Sequence, residues 1–370
     1  MALVVERFRP HGGVEQTAWR VAHGLAAGGD EVHVFAREFS PPRHPEPAAP
    51  RLHRLPVPAL WQPWRVLAFS RAAARAAPRG DFDAVHAFSR THHQDLFRAG
   101  GGCHAAYMER AYGAAGATLR RVSPRHAVLL ELERRVFGDP SQLIQCNSEM
   151  VRDEIAARYG VPEARFAVLA NGVDLVRFDP RRRADEGVQL RRALAPKAER
   201  LWLMVGHDLR RKGLDVLLRA LARPGADAEH LWVAGAESPA PWRERAERLG
   251  VAARVGFLGA REDLPALYAA ADALVLPTRY DAFANVCLEA AASGLAIVTS
   301  ATNGAARWLG EAALVVKDPD DAEALGAALD ALADPGRRAA LGAAAHRRAQ
   351  SASWDAHLRA LRALYARRLR

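Results

Sequence analysis

Short apolar runs of β type alternate along this chain with longer Ala- and Leu-rich runs of helical period. The apolar runs fall at residues 3–5, 31–36, 84–87, 143–146 and 166–169, and again at 202–205, 230–234, 254–258, 273–276, 297–299 and 313–316. Near-continuous apolar runs of this length predict strands buried on both faces. Helical runs lie between most of them, for example at 17–27, 125–137, 149–159, 214–222 and 321–332. Strands that alternate with helices predict parallel sheets. Around eleven strands exceed one compact sheet of usual size, so two doubly wound sheets are the economical arrangement.

The break falls near Asn171-Gly172, a turn signal, and the charged run 177–192 that follows has little apolar periodicity and reads as an interdomain linker. The expected domains are therefore 1–175 and 176–352. The last segment, 354–369, is helical, with an apolar stripe at Leu358, Leu361, Leu364 and Tyr365. Such a stripe has to be covered, and we expect the helix of 353–370 to pack back on the first domain. The Pro-rich piece 40–47 reads as an extended loop.

Composition narrows the class. Hydrophobic residues are 50% and charged residues 25% of the 370 positions, which is the balance of a globular protein with well-buried cores. No apolar run approaches the roughly 20 residues of a membrane span, and the first residues read as a strand rather than a signal peptide. Cys103, Cys146 and Cys287 are far apart and form no metal-ligand spacing, which points to a reducing, cytoplasmic compartment without disulfides. The net charge is +10, and the excess is concentrated at 51–80, with six Arg and no acid, and at 337–370, with nine Arg and one acid. Basic segments of this kind suit an anionic membrane surface or nucleic acid; a genome that prefers Arg on solvated faces explains them equally. Within the first of them, Trp61-Gln-Pro-Trp-Arg-Val-Leu-Ala-Phe-Ser-Arg-Ala-Ala-Ala-Arg75 has the makings of an interfacial amphipathic helix, with a helix packed on the sheet as the plain alternative.

Three turns carry chemistry. Thr278-Arg-Tyr-Asp-Ala-Phe-Ala-Asn-Val-Cys-Leu-Glu289 joins the strand at 273–276 to a helix that ends at Gly294. Free amides at such a strand-to-helix turn favour an anion, and the flanking acids Asp281 and Glu289 favour sugar or ribose hydroxyls; together they suggest a nucleotide-sugar site. In Gly206-His-Asp-Leu-Arg-Arg-Lys-Gly213 the cations Arg211 and Lys212 stand at a helix entrance, where the macrodipole disfavours them unless an anion binds there. Gly12-Gly13 follows the first strand and permits a close backbone approach. Asp95, on a polar loop assigned to the carboxyl end of the third strand of the first domain, is a candidate for orienting an acceptor. Arg98, His92 and His93 are weaker candidates. Asp81-Phe-Asp83 spells Asp-x-Asp but precedes a strand as an ordinary loop would, so no metal site is assigned.

These motifs resemble the retaining family 4 glycosyltransferases of the GT-B fold, over most of the chain. The resemblance implies two Rossmann-like domains facing a cleft, with the nucleotide-sugar on the C-terminal domain. The family's acid-x7-Glu pair matches Asp281 and Glu289, which implies that Glu289 binds the donor ribose and Asp281 the sugar hydroxyls. By the same resemblance, the turn residues Phe283, Ala284 and Asn285 would face the diphosphate or the sugar. Arg211 and Lys212 would neutralise the leaving diphosphate. Gly12 and Gly13 match the family's first-loop glycines, and Arg261 lies in a segment near the base. The Gly-Gly start, the Arg-Lys-Gly turn and the segment His93-Gln-Asp-Leu-Phe-Arg-Ala-Gly-Gly-Gly-Cys103 are most similar to lipopolysaccharide core glucosyltransferases. The implied activity is metal-independent, retaining transfer of a hexose, with UDP-glucose the family-level donor, to a glycan or glycolipid acceptor such as lipopolysaccharide core. It needs no cofactor beyond the donor as co-substrate. The implied location is cytoplasmic, with peripheral attachment at the inner membrane face. Competing readings are a basic nucleic-acid-binding protein, a nucleotide-sugar 2-epimerase and a catalytically silent scaffold of the same fold. The first lacks aromatic-basic interleaving and any zinc or recognition-helix signature, so no nucleic-acid partner is assigned.

Overall fold

The computed structural model describes residues 1–40, 49–58 and 61–368. The chain forms two units, Met1–Gly172 with Trp354–Arg370, and Val173–Ser353. Most of the Pro-rich piece at 40–47 lies outside the described residues.

The first unit is built on β1 (Ala2–Val4), β2 (Arg7–Phe8), β3 (His33–Ala36), β4 (Glu38–Phe39), β5 (Arg51–Arg54), β6 (Val85–Ala87), β7 (Leu96–Arg98), β8 (Leu143–Cys146) and β9 (Phe166–Val168). Seven of these form a parallel sheet in the order β5-β3-β1-β6-β7-β8-β9, and β2 pairs separately with β4. The central strands β1 and β6 are fully buried and, apart from His86, apolar, which is why they were legible. The edge strand β5 (Arg-Leu-His-Arg) is mostly exposed and carries no apolar signal. Nor did the sequence reveal β7, because it starts directly after a polar loop.

The terminal helix Trp354–Arg368 completes this unit. Leu358, Leu361, Leu364 and Tyr365 are buried in one cluster with Leu3, Ala18, Val21, Leu25 and Leu96. The approach to helix Val14–Ala27 is close: a Cβ on Gly24 would stand 2.3 Å from Leu358 Cδ1. A hydrogen bond of 2.8 Å joins the Tyr365 hydroxyl to His86 Nδ1 on β6.

The second unit holds β10 (Arg200–Val205), β11 (Glu229–Ala234), β12 (Val255–Gly259), β13 (Ala273–Leu276), β14 (Ala296–Ser300) and β15 (Leu314–Val316), all parallel, in the order β12-β11-β10-β13-β14-β15. Both sheets wind outward from a central strand in two directions. This is the doubly wound, Rossmann-like arrangement, and in the second unit it reverses between β10 and β13. Among the described residues no helix is long and apolar enough to cross a membrane.

The expected linker at 177–192 is instead folded structure of the second unit. It forms a short 3-10 turn, Pro180–Arg183, and a helix, Glu186–Leu194. That helix docks through Gly187 onto helix Leu264–Ala270; a Cβ there would stand 2.5 Å from the Ala269 carbonyl oxygen. Arg183 and Arg191 pair with the buried Asp272 at 3.1 and 2.8 Å. Packing through a glycine and two ion pairs leaves no apolar stripe for sequence periodicity to detect.

Leu361 is fully buried under the first unit's sheet. Leu361→Ala is expected to cost about 2–5 kcal/mol of stability by chemical denaturation. A loss under 1 kcal/mol would mean that the terminal helix contributes little to the core.

Candidate functional site

The reversal point of the second sheet brings two turns together. One leaves β10 and runs through Gly206–Gly213 into helix Leu214–Leu221; the other leaves β13 and runs through Pro277–Ala284 into helix Asn285–Ala292. Their backbones are stitched directly. The Arg211 carbonyl accepts from the Arg279 amide at 2.8 Å and from the Thr278 hydroxyl at 3.1 Å. Gly213 makes the approach feasible: its φ is +82°, and a Cβ there would stand 2.1 Å from the Pro277 carbonyl oxygen. Any side chain would push the two turns apart.

Across this seam the side chains pair by charge. Lys212 Nζ donates to Asp281 Oδ2. The Arg211 guanidinium donates to the Tyr280 carbonyl at 2.7 Å and lies 3.5 Å from the same carboxylate. Asp208, whose φ of +56° is a left-handed conformation, accepts from Arg211 Nε at 3.0 Å. Arg279 bridges Asp215 at 2.8 Å and Asp320, and so anchors the second turn to the helix that follows the first. Burial by itself would raise the Asp281 carboxyl. Lys212, followed by Arg211, outweighs it and holds the group below its usual value.

Of the expected site residues, Arg211, Lys212 and Asp281 therefore form one group. Phe283 and Ala284 follow directly, but their amides are engaged within the protein. Phe283 N donates to Asp281 Oδ1 at 3.3 Å, and Ala284 N to Asn303 Oδ1 at 3.2 Å. The expectation that these amides face a ligand is corrected: neighbouring side chains have already satisfied them. Asn285 opens the helix.

Glu289, one turn into that helix, stands apart from the Lys212 group. Its carboxylate accepts from the Tyr268 hydroxyl at 2.8 Å. Burial raises its pKa to about 7, against the weaker downward pull of the Tyr268 bond and of Arg177. Arg261 lies on the turn after β12, in an exposed pair with Asp263 at 2.5 Å.

In the first unit, Gly12 has φ +99° and Gly13 caps helix Val14–Ala27. Asp95 is not at a carboxyl strand end. The chain returns from the end of β6 through 88–94 to the start of β7, which puts Asp95 at the amino edge of the sheet. There it accepts from the Val85 amide and from Arg79 Nε, both at 2.9 Å. It is a buried clamp between neighbouring strands, and the acceptor-orienting expectation is corrected. The first unit's residue at a carboxyl strand end is Arg98, the last of β7. Among the described residues no group of three His, Cys, Asp or Glu is placed to hold a metal ion.

Tyr268, Arg279 and Asn303 belong to this site and gave no sequence signal. Each acts through hydrogen bonds or ion pairs to residues distant in the chain.

Comparison with known proteins gives matches over both units. The family model described as Glycosyltransferase Family 4 matches residues 11–177, and that described as Glycosyl transferases group 1 matches 199–334. The lipopolysaccharide glucosyltransferase WaaG of Escherichia coli is 27% identical over 89% of this chain and 88% of its own. A probable transglycosylase of Burkholderia thailandensis is 30% identical over 86% and 82%. The crystal structure of WaaG, described as a glycosyltransferase involved in lipopolysaccharide biosynthesis, matches with a TM-score of 0.83 at 26% identity, covering 98% of this chain and 99% of that one.

The raised Glu289 pKa has a measurable consequence for stability. Between pH 4.5 and about 7 the unfolded chain has lost this proton and the folded chain keeps it. Stability carried by this group is complete below 4.5 and is lost as pH rises to 7. Glu289→Gln is therefore expected to gain on the parent protein across that window, by about 1–3 kcal/mol at pH 7. Denaturation curves that keep a constant offset from pH 4.5 to 7.5 would show that the carboxyl titrates normally.

Proposed function

The chain belongs to the family 4, group 1 glycosyltransferases, with two Rossmann-like domains of GT-B type, and from that premise we propose that it transfers a hexose with retention from a UDP-sugar, UDP-glucose being the leading candidate, to a glycan or glycolipid acceptor of the lipopolysaccharide-core kind. The observation that carries this reading is the Lys212–Asp281–Arg211 group at the reversal point of the second sheet.

In this scheme the diphosphate of the donor lies against Lys212 and Arg211. Charge that develops as the bond from the anomeric carbon to the phosphate oxygen breaks is met by cations already fixed in place. The acceptor hydroxyl oxygen forms the new bond on the same face, and its proton passes to the leaving diphosphate oxygen. Lys212 and Arg211 do the work assigned to a divalent cation in metal-dependent transferases. Glu289 accepts hydrogen bonds from the ribose hydroxyls, with Tyr268 fixing its orientation. Asp281 has two tasks. It holds Lys212 in place before the donor arrives, and it offers its other oxygen to a sugar hydroxyl.

The pairing of Lys212 with Asp281 separates two variants. Lys212→Ala is expected to weaken UDP binding by roughly 10–100-fold in calorimetry. Asp281→Asn is expected to bind UDP as tightly as the parent or tighter, because a competing carboxylate is gone, while sugar transfer falls by about 100-fold. UDP affinity that is untouched by Lys212→Ala would remove the diphosphate from this position.

Attachment to an anionic membrane from the cytoplasmic side is part of the same proposal. Trp61 and Trp64 are 61% and 60% exposed at the entry to helix Gln62–Ala76, and Arg71 and Arg75 on that helix are exposed too. Paired aromatic and cationic exposure suits the lipid interface. Binding to liposomes with acidic headgroups is expected to fall several-fold in Trp61→Ala/Trp64→Ala and to be released by salt. Equal binding to neutral liposomes at all salt concentrations would reject the electrostatic part.

A further inference from the structure

Arg98 closes β7 with a side chain that is only 2% exposed. Its Nη2 donates to Asn171 Oδ1 at 2.5 Å, and its Cζ lies 5.7 Å from the centre of the Phe88 ring. The guanidinium fills the space above Gly100, where a Cβ would stand 1.8 Å from Nη1. Nε and Nη1 have no hydrogen-bond partner, and among the described residues no carboxylate is paired with Arg98. Burial alone acts on its pKa, bringing it down to about 10. The group therefore keeps its charge at neutral pH.

The polar groups near it do not compensate that charge. His86 and Gln145 share its face of the sheet, and His357 of the terminal helix packs there; none of the three carries a negative charge. Burial holds His86 and His357 well below the usual histidine range, so both are neutral. An unpaired buried cation costs several kcal/mol, and removing that cost requires an anion.

A pocket of about 310 Å³ opens at this end of the sheet, lined by Arg98, Phe88, Arg90, Arg125, Gly101 and Gly102. The carboxylates on its wall are already committed. Glu15 pairs with Arg7 at 3.0 Å, and Glu6 with Arg65 at 3.3 Å and Arg37 at 3.5 Å. Arg90 pairs with Glu133 at 3.1 Å. The start of helix Val14–Ala27 contributes Val14 and Glu15 to the same wall, just after the Gly12-Gly13 turn. Its volume is at the small end for a ligand site and suits one sugar unit carrying one charged group.

We propose that Arg98 is the receptor for an anionic group, a phosphate or carboxylate, on the acceptor, so that the acceptor is a charged glycan or glycolipid unit and not a neutral one. This rests on the transferase reading above and on the first unit taking the acceptor. Nε and Nη1 lie on different edges of the guanidinium plane, so each offers an oxyanion a single charge-assisted hydrogen bond. Arg98 is then a specificity residue; bond making belongs to the other unit's cations.

The test separates this anion from one held by Lys212 and Arg211. Thermal unfolding of the full chain carrying Lys212→Ala is followed with inorganic phosphate, glucose 6-phosphate and glucose. The two phosphates are expected to raise Tm by several degrees, and glucose is not. Adding Arg98→Gln is expected to abolish the shift, and Arg98→Lys to keep part of it. A shift that survives Arg98→Gln, or no shift in the Lys212→Ala chain, overturns the proposal. If Arg98→Gln does not fold, a response to phosphate in Arg98→Lys equal to that of Arg98 also counts against it. A second arm compares transfer to an acceptor before and after phosphatase treatment. A kcat/KM preference of roughly tenfold for the phosphorylated form, lost in Arg98→Lys, supports the acceptor as the source of the anion. No preference means that the site serves free phosphate, which overturns the acceptor assignment. Absence of any turnover of the donor would sink the transferase reading, while the unfolding arm still decides Arg98.

Discussion

Lys212 and Asp281 sit on the turns that leave β10 and β13, the two strands between which the second sheet reverses its winding. Their contact is what makes two strand-end loops into one site. It depends on a short chain of requirements. Gly213 has to lack a side chain so that the Arg211 carbonyl can reach the Thr278 hydroxyl and the Arg279 amide. Arg279 has to hold Asp215 and Asp320 so that the second turn keeps its place. Asn303 and the Asp281 carboxylate have to take the amides of Ala284 and Phe283, which would otherwise be left unsatisfied near a buried helix start. The outcome is a group of cations held by neighbouring carboxylates and balanced internally.

That balance differs between the two units. In the second, each cation of the site has a carboxylate at hand, and Glu289, the acid without a cation in contact, is largely spared the cost of charge by holding its proton toward neutrality. In the first, Arg98 is buried with neutral neighbours only. Interior charge of one sign without a partner is expensive in any fold, and such expense persists where a ligand removes it. The two units thus have opposite electrostatic designs: in one the cations of the strand-end turns are balanced by carboxylates, in the other a buried cation has none.

The site was legible in part. The acid and basic turns were visible because their residues are close in sequence and sit beside strongly apolar strands. Asp95 was misplaced because β7 has no apolar run of its own before Leu96; without that strand, the loop at 88–94 could not be seen to cross from one edge of the sheet to the other. The amides of Phe283 and Ala284 looked open because Asn303, which takes one of them, comes nineteen residues later on a different turn. The segment 177–192 looked like a linker because its anchors are Gly187 and the ion pairs to Asp272, neither of which leaves a periodic trace.

What the sequence determined by itself was the alternation of buried strands and helices, the division near residue 172, the apolar stripe of the last helix, and the residue types at the two strand-end turns. These follow from local composition and period, which act over a few residues at a time. Only the tertiary structure decided which charges meet. That Lys212 pairs with Asp281, that Tyr268 orients Glu289, that Asp95 is a clamp and that Arg98 has no counter-charge are consequences of strand order and loop crossing. The energy of a charge depends on what surrounds it in space, and neighbours in space are set by the sheet, not by position along the chain.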